Sequence, residues 1–284
     1  MNKNRFSGYG EIIMAAILWS LVGIILKQIH GMSAQTIIFY RVGFAFIIFF
    51  AALLVSGNLK IVRLHEKKSY IILFSMLQVA TMVCYFISII NASVSIAVLL
   101  LSTAPVYITI FSPWLLKEKI GKGGMVALIL SIVGILLIVD PGKLDFKLSS
   151  IGILAGIASG IFYAFQVMTS KYISQTYSGY AQAFWSFLVA GIILLPVGIV
   201  PLEVVSGNLM YLLILAIFPT ILAVSLYYNG LKKVKAQSAS ILGLIEPISA
   251  VFFAVLILGE HISILEITGG ALILIGAALV TMDK

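Results

Sequence analysis

The chain has 284 residues, of which 62% are hydrophobic and 10% charged, with a net charge of +8 and a mean hydropathy of +1.17. Soluble domains carry about 25% charged residues, so most of this chain must face lipid or other apolar helices. The basic balance does not point to nucleic acid, because no soluble stretch is long enough to form a basic face; one cysteine, Cys84, leaves no disulfide framework or thiolate metal cluster, and His30, His65 and His261 are scattered in short loops, so no metal site and no cofactor are expected.

A helix needs about 20 apolar residues to cross the hydrocarbon core. Ten such segments are predicted, at roughly 9–29, 34–55, 69–90, 94–116, 122–139, 151–172, 180–200, 208–231, 237–258 and 262–282. The first is too long for a cleavable signal peptide, and further spans follow with almost no soluble chain between them. It carries Trp19 and ends at Lys27; the second opens with Tyr40-Arg41. The third places Gln78, Thr81, Tyr85 and Ser88 on one helical face. Pro105 lies inside the fourth. The sixth has Gly152, Gly156 and Gly160 in a small-residue stripe suited to close helix approach, then Ser159, Tyr163, Gln166 and Ser170 on one face, and ends at Lys171. The eighth carries Pro219, Thr220 and Tyr227, and the ninth Glu246 and Pro247. Turn residues such as Ser56-Gly57-Asn58, Asp140-Pro141-Gly142, Ser178-Gly179 and Ser206-Gly207-Asn208 separate the segments.

The chain repeats itself. Tyr85 pairs with Tyr227, Ala97 with Ala239, Pro105 with Pro247 and Glu118 with Glu260, each 142 residues apart. Gly8 with Gly152, Trp19 with Tyr163 and Lys27 with Lys171 follow at an offset of 144. An odd number of helices per copy turns the second copy over in the membrane. The expected fold is an all-α membrane protein, ten transmembrane helices in two inverted five-helix repeats, residues 1–140 and 151–284. Inverted repeats place a substrate site near the midplane. They also let the same interactions build two states of similar energy, open to opposite sides. Of the 18 Lys and Arg, only Lys27, Lys143 and Lys147 fall on the side away from the termini, and Arg41 lies within a span. The positive-inside rule then puts both termini in the cytoplasm.

The run Ala97-Val98-Leu99-Leu100-Leu101-Ser102-Thr103-Ala104-Pro105, continuing to Leu116-Lys117-Glu118-Lys119, has its partner in Ala239 through Leu244-Ile245-Glu246-Pro247 to Leu258-Gly259-Glu260-His261. Both resemble the EamA-type domain of the drug/metabolite transporter superfamily, as do the Gly-rich last span (Gly269-Gly270, Gly276), Trp19 and Tyr40-Arg41. The resemblance covers the whole chain as two tandem domains. Copy one departs from it with Lys117-Glu118 in place of Gly-Glu, and the seventh span lacks an arginine matching Arg41. It implies a plasma-membrane carrier, often an exporter of amino acids, small metabolites or drugs.

Glu246 stands out because a charge at the bilayer centre costs roughly 2.5–3.5 kcal/mol on insertion scales. It serves either as a proton-coupling carboxylate or hook for a cationic substrate group, or as a structural acid bonded to backbone freed by Pro247. Pro105 and Pro247 read as paired kinks, flexing or static. Gln78, Tyr85, Tyr163, Gln166, Tyr227 and Trp19 are candidate substrate contacts, with interhelical hydrogen bonding as the plain alternative. Arg41 either snorkels to lipid phosphates, holds a substrate carboxylate, or forms a gate. Lys27 and Lys171 cap helix ends or act as paired gates. Glu118 and Glu260 read as turn residues or salt-bridge partners.

No phosphate-binding Gly-Lys-Ser/Thr loop is present, so the energy must come from a solute, ion or proton gradient. The expected function is secondary-active transport of a small molecule through the bilayer by alternating access, with export ahead of gradient-driven uptake or exchange without proton coupling. An enzyme would want a clustered catalytic pair, and a receptor or assembly subunit long distinctive loops; neither is seen. Oligomeric state is left open. A reporter fused to the C-terminus is expected to be active only in the cytoplasm, and activity only outside the cell would reverse the orientation.

Overall fold

The computed structural model describes residues 3–64, 66–92, 94–139, 150–259 and 263–282. Ten helical stretches there are long and apolar enough to cross a membrane. The first span is α1 (Lys3–Ser20) and α2 (Val22–Leu26), the second α3 (Ala34–Val55) and the third α4 (Lys68–Asn91). The fourth is two half-helices, α5 (Val94–Leu101) and α6 (Ala104–Leu115); α7 (Lys122–Val139) closes the first repeat. The second repeat runs through α8 (Ser150–Ile173), α9 (Gly179–Gly198), α10 (Leu202–Ala216), a π-helical turn (Ile217–Leu222) and α11 (Ala223–Lys233). It ends with α12 (Ala236–Gly243), α13 (Ile245–Leu258) and α14 (Ile264–Met282). Large apolar side chains such as Trp114, Ile151, Phe252 and Leu256 are exposed on the outside of the bundle, as contact with lipid requires.

Three expectations change. Ser206-Gly207-Asn208 is not a break: helix starts after Pro201 and runs through it. Asn208 there ties the span to the first loop, donating to the His30 carbonyl (2.9 Å) and accepting from its N–H (3.1 Å). Pro105 and Pro247 are not mid-helix kinks. Each lies in the first turn of a new half-helix, α6 and α13, where a missing N–H breaks no ladder bond. Glu246, for the same reason, is not ten residues inside a continuous helix but in the first turn of α13.

The two repeats pack by one rule used twice. A Cβ on Gly8 of α1 would meet Lys233 and Val234 at 2.8 and 3.0 Å, and one on Gly152 of α8 would meet Asn91 and Ala92 at 2.8 and 2.9 Å. Those contacts are repeat mates. So are the Gly134–Gly269 contact between α7 and α14 and the Gly276–Ala127 contact further along the same pair: a Cβ at Gly134 would stand 2.6 Å from the Gly269 carbonyl, and one at Gly276 would stand 2.9 Å from that of Ala127. Packing of α4 on α8 answers packing of α11 on α1, and α3 crosses α9 on the pseudo-axis. The departure at Lys117 is also explained. Its backbone is left-handed (φ 56), as at its repeat mate Gly259 (φ 67), so lysine occupies a conformation that glycine takes without strain.

The symmetry fails in one respect. The face that bears the start of α1 is called here the near face, the opposite one the far face. On the near side α6 packs on α12, with Gln237 Nε2 donating to Thr109 Oγ1 (3.0 Å) and the Gly124 carbonyl (3.3 Å). Their far-side mates, α5 and α13, have no comparable packing. Likewise α8 packs on α11, whereas α1 and α2 have no comparable contact with α4. Residues 236–242 are all buried, while none of 246–257 is. The bundle is closed near the termini and splayed on the far side.

Gly134→Val would force a branched side chain against the Gly269 backbone, which cannot yield, so a loss of about 1–3 kcal/mol is expected. Gly10→Ala, with nothing within 4 Å of its new Cβ, should leave stability unchanged. Thermal unfolding in detergent checks both.

Candidate functional site

The splayed side leads to the level at which the fourth and ninth spans break. At Leu244 the ninth span pauses for one residue, and α13 begins with Ile245-Glu246-Pro247. The carboxylate thus sits at the N-terminal end of a half-helix, where unsatisfied N–H groups and the helix dipole favour an anion. Glu246 lies deep between the spans yet keeps part of its surface accessible. Among the described residues no group donates a hydrogen bond to it, so the backbone-bound structural role has no partner here. Discontinuous spans are tolerated in hydrocarbon where their free backbone faces protein or a cavity.

Arg41 lies two turns into α3 and points into the bundle rather than toward head groups. Its Nε donates to Thr220 Oγ1 (2.5 Å) and an Nη to the Pro219 carbonyl (3.1 Å). The π-helical turn makes this dock. Pro219 has no N–H to give to the ladder, and Thr220 Oγ1 donates to the Leu215 carbonyl (2.7 Å). Pro219, named above only by its place in the eighth span, is thus half of a guanidinium site. Glu246 is within electrostatic range of Arg41, Tyr85 and Tyr163, although Arg41 makes its two hydrogen bonds to the eighth span.

Aromatic side chains line the same level. Trp19 and Tyr227 meet at a tilt with centroids 5.1 Å apart, and Tyr227 meets Tyr228 at 5.6 Å. The Tyr163 hydroxyl lies in range of that of Tyr227. No well-formed bond closes between them, so the Tyr227 hydroxyl is buried without a hydrogen-bond partner. Tyr85 and Tyr163 keep partial exposure. Gln166 is different: buried, it donates to Tyr228 Oη (2.7 Å) and Gln78 Oε1 (3.3 Å), a network that ties α8 to α11 and α4. Tyr228, absent from the sequence-based candidates, is the acceptor at its centre. One position beyond Tyr227, its ring meets that of Phe74 on α4 at 5.0 Å.

Pro105, in α6, is buried opposite the break that exposes Glu246. Lys27 follows α2 as its exposed C-cap at the far face. Lys171, its repeat mate, is at the near face, donating to the carbonyls of Leu231 (2.8 Å), Lys232 (3.2 Å) and Val234. Beside it, Glu118 Oε2 accepts the Ala236 N–H (2.8 Å). Burial pushes the Glu118 carboxyl up from its usual range, opposed by that N–H and by Lys171 and Lys235. Lys233 pairs with Glu11 on the same face. Glu260, His65 and His261 lie outside the described residues. Among the described residues no cluster of His, Cys, Asp and Glu could hold a metal ion.

Ten spans in inverted repeats, broken at paired positions around a polar centre that opens to one side, make up a membrane transporter. This chain belongs to the EamA-like transporter family, whose model matches residues 6–140 and 150–282. It is 30% identical over 278 residues to an uncharacterized transporter of Archaeoglobus fulgidus, covering 97% of each chain. It is 26% identical to the uncharacterized inner membrane transporter YicL of Salmonella typhimurium, covering 98% of this chain and 96% of that one. A solved crystal structure superposes with a TM-score of 0.84 at 17% identity, over 97% of this chain and 96% of the other, and so speaks for the fold alone.

Two substitutions test the site's energetics. Thr220→Val strands a guanidinium donor inside the bundle and is expected to cost about 1–3 kcal/mol. Tyr227→Phe removes a hydroxyl that has no partner and should leave stability the same or higher. Unfolding in detergent measures each.

Proposed function

We propose that the chain is a secondary-active exporter of a small organic solute, working by alternating access, with both termini in the cytoplasm of a plasma-membrane protein. The state described is then the outward-facing one, closed at the near, cytoplasmic face. The observation that carries the reading is Glu246: a carboxylate at the start of a broken span, beneath the splayed side, with no hydrogen-bond donor among the described residues. Such a group is open to a ligand. A cationic group of the substrate or a proton would complete it, and the two would compete for the same oxygens.

The surrounding rings fit a flat or apolar solute body. Trp19 offers a wall, and Tyr85 and Tyr163 offer hydroxyls, while the fully buried Tyr227 backs Trp19 from behind. Arg41, held by the π-turn, has further N–H groups for an anionic substituent. Gln166 and Gln78 act on this reading through the walls, by fixing α8 and α4. Competition at Glu246 couples the fluxes. A proton arriving from outside displaces the solute there, and its later loss to the cytoplasm frees the carboxylate for the next solute. Both charges move in opposite directions through one site, so no nucleotide is needed.

Solute profiling of the medium around cells producing the protein or Glu246→Gln, at matched membrane abundance, tests this. One compound class should rise outside with the wild type alone, and that flux should change between mildly acidic and mildly alkaline medium. Residual flux through Glu246→Gln should lose this pH dependence. An equal rise with both proteins would leave export standing and remove Glu246 from the mechanism. No rise with either would move the reading to gradient-driven uptake or exchange.

A further inference from the structure

At the near face, a cavity of about 270 Å³ opens between the ends of the fourth and sixth spans. Leu115, Leu116, Lys117, Glu118, Lys171 and Tyr172 line it. Rings mark its depth in the bilayer. Tyr70 at the start of α4, Trp114 near the end of α6 and Tyr172 near the end of α8 are all exposed, and Tyr70 meets Tyr172 at 5.0 Å. Exposed Trp and Tyr at span ends sit at the headgroup level of a membrane.

Two lysines converge on this cavity from strained backbone. Lys67 holds its ammonium 4.1 Å from the centre of the Tyr172 ring, and Lys117 is exposed on the cavity wall. Among the described residues they are the only non-glycine residues with positive φ, at 58 and 56. A side chain enters that region with strain, and such strain is kept at places of use. Gly259, the repeat mate of Lys117, shows that glycine serves the same turn. Lys171 adds a third charge, although its ammonium is already bonded to the carbonyls of Leu231, Lys232 and Val234. Lys235 and Arg5 lie within electrostatic range as well. Against them stands one carboxylate, Glu118, whose Oε2 accepts the Ala236 N–H (2.8 Å). The balance favours an anion, with Lys67 and Lys117 placed to donate to it.

We propose that this cavity binds the phosphate of an anionic phospholipid, with Lys67 and Lys117 as its donors and the acyl chains laid along Leu115 and Trp114. A soluble anion would suit the lysines but leave that apolar wall uncovered; Trp114 is 76% exposed and Leu115 52%. A lipid meets both demands. Its phosphate accepts charge-assisted hydrogen bonds from the ammonium groups, and its tails cover the end of α6. Basic pockets between spans on the cytoplasmic side suit such headgroups. The leaflet rests on the orientation proposed above: a cytoplasmic near face makes this an inner-leaflet lipid. Once bound, one lipid ties the start of α4 to the ends of α6 and α8.

Native mass spectrometry of the full chain in detergent, titrated with phosphatidylglycerol, phosphatidylcholine or inorganic phosphate, tests the site. Phosphatidylglycerol should bind in preference to phosphatidylcholine. Lys67→Gly combined with Lys117→Gly keeps both left-handed turns and removes both ammonium groups. It should bind phosphatidylglycerol about 20-fold more weakly, the product of two lysines beside an anionic headgroup. The Gln pair, with side chains of similar reach, should match it, and the Arg pair, which keeps the charge, should bind like the parent. Lys60→Gln removes a charge from the exposed turn Leu59–Val62 on the same face, outside the cavity, and should also bind like the parent. Retained binding by the Gly and Gln pairs, or an equal loss with Lys60→Gln, overturns the site. Displacement of the lipid by inorganic phosphate at low millimolar concentration would make it a site for a soluble anion and overturn the lipid assignment. No readout here uses solute flux or Glu246, so failure of the exporter reading leaves the binding intact. A C-terminal reporter active only outside the cell would overturn the inner leaflet alone.

Discussion

Backbone polar groups in hydrocarbon must find partners within the protein, and the centre of this molecule follows from how three departures from regular helix meet that demand. The fourth span breaks after Leu101, with Thr103 Oγ1 donating to the Leu100 carbonyl (2.6 Å). The ninth breaks at Leu244, where the chain turns without unwinding and Leu244 N–H donates to the Ile241 carbonyl (3.1 Å). The eighth widens into a π-turn, whose freed groups are taken by Thr220 and Arg41. Each lies where other spans cover it. Two of them also bring something polar inward: a half-helix N-terminus at Glu246 and a fixed guanidinium at Arg41.

Duplication places this centre between two copies of one unit. Because each copy has an odd number of spans, a contact at one face recurs at the other with different side chains. Gly8 on Lys233 and Val234, and Gly152 on Asn91 and Ala92, are one contact seen twice. If every contact were repeated in this way, both faces would be shut. The structure repeats the helix pairs that stay together and leaves unrepeated those between α5 and α13 and between α2 and α4. The unpaired set lies on the splayed side.

Much of this was legible in the chain. Apolar run lengths gave the ten spans, because crossing about 30 Å of hydrocarbon takes a fixed number of residues. The 142-residue echo revealed the inverted repeat, and the family membership followed from residues in the same runs. Glu246 was visible because an acid has no neutral reason to lie in an apolar run. Less visible were the breaks: Pro105 and Pro247 look like kinks in continuous helices, since a proline is compatible with both a kink and a first turn. The Ser206-Gly207-Asn208 run looked like a loop because its residues favour turns, but Asn208 satisfies itself against the His30 backbone across the far face.

What the sequence determined by itself is therefore set by local and additive physics: membrane class, span number, repeat offset, and the cost of an intramembrane acid. What only the tertiary structure decided depends on partners far apart in the chain. Arg41 turned inward because Pro219 and Thr220, nearly 180 positions away, offer it acceptors that a lipid phosphate would otherwise supply. Gln166 became part of a wall because Tyr228 and Gln78 close on it. Which face is open is the least local property of all: the two repeats encode both closures, and the choice between them lies in a small difference between many weak interhelical contacts that no single segment contains.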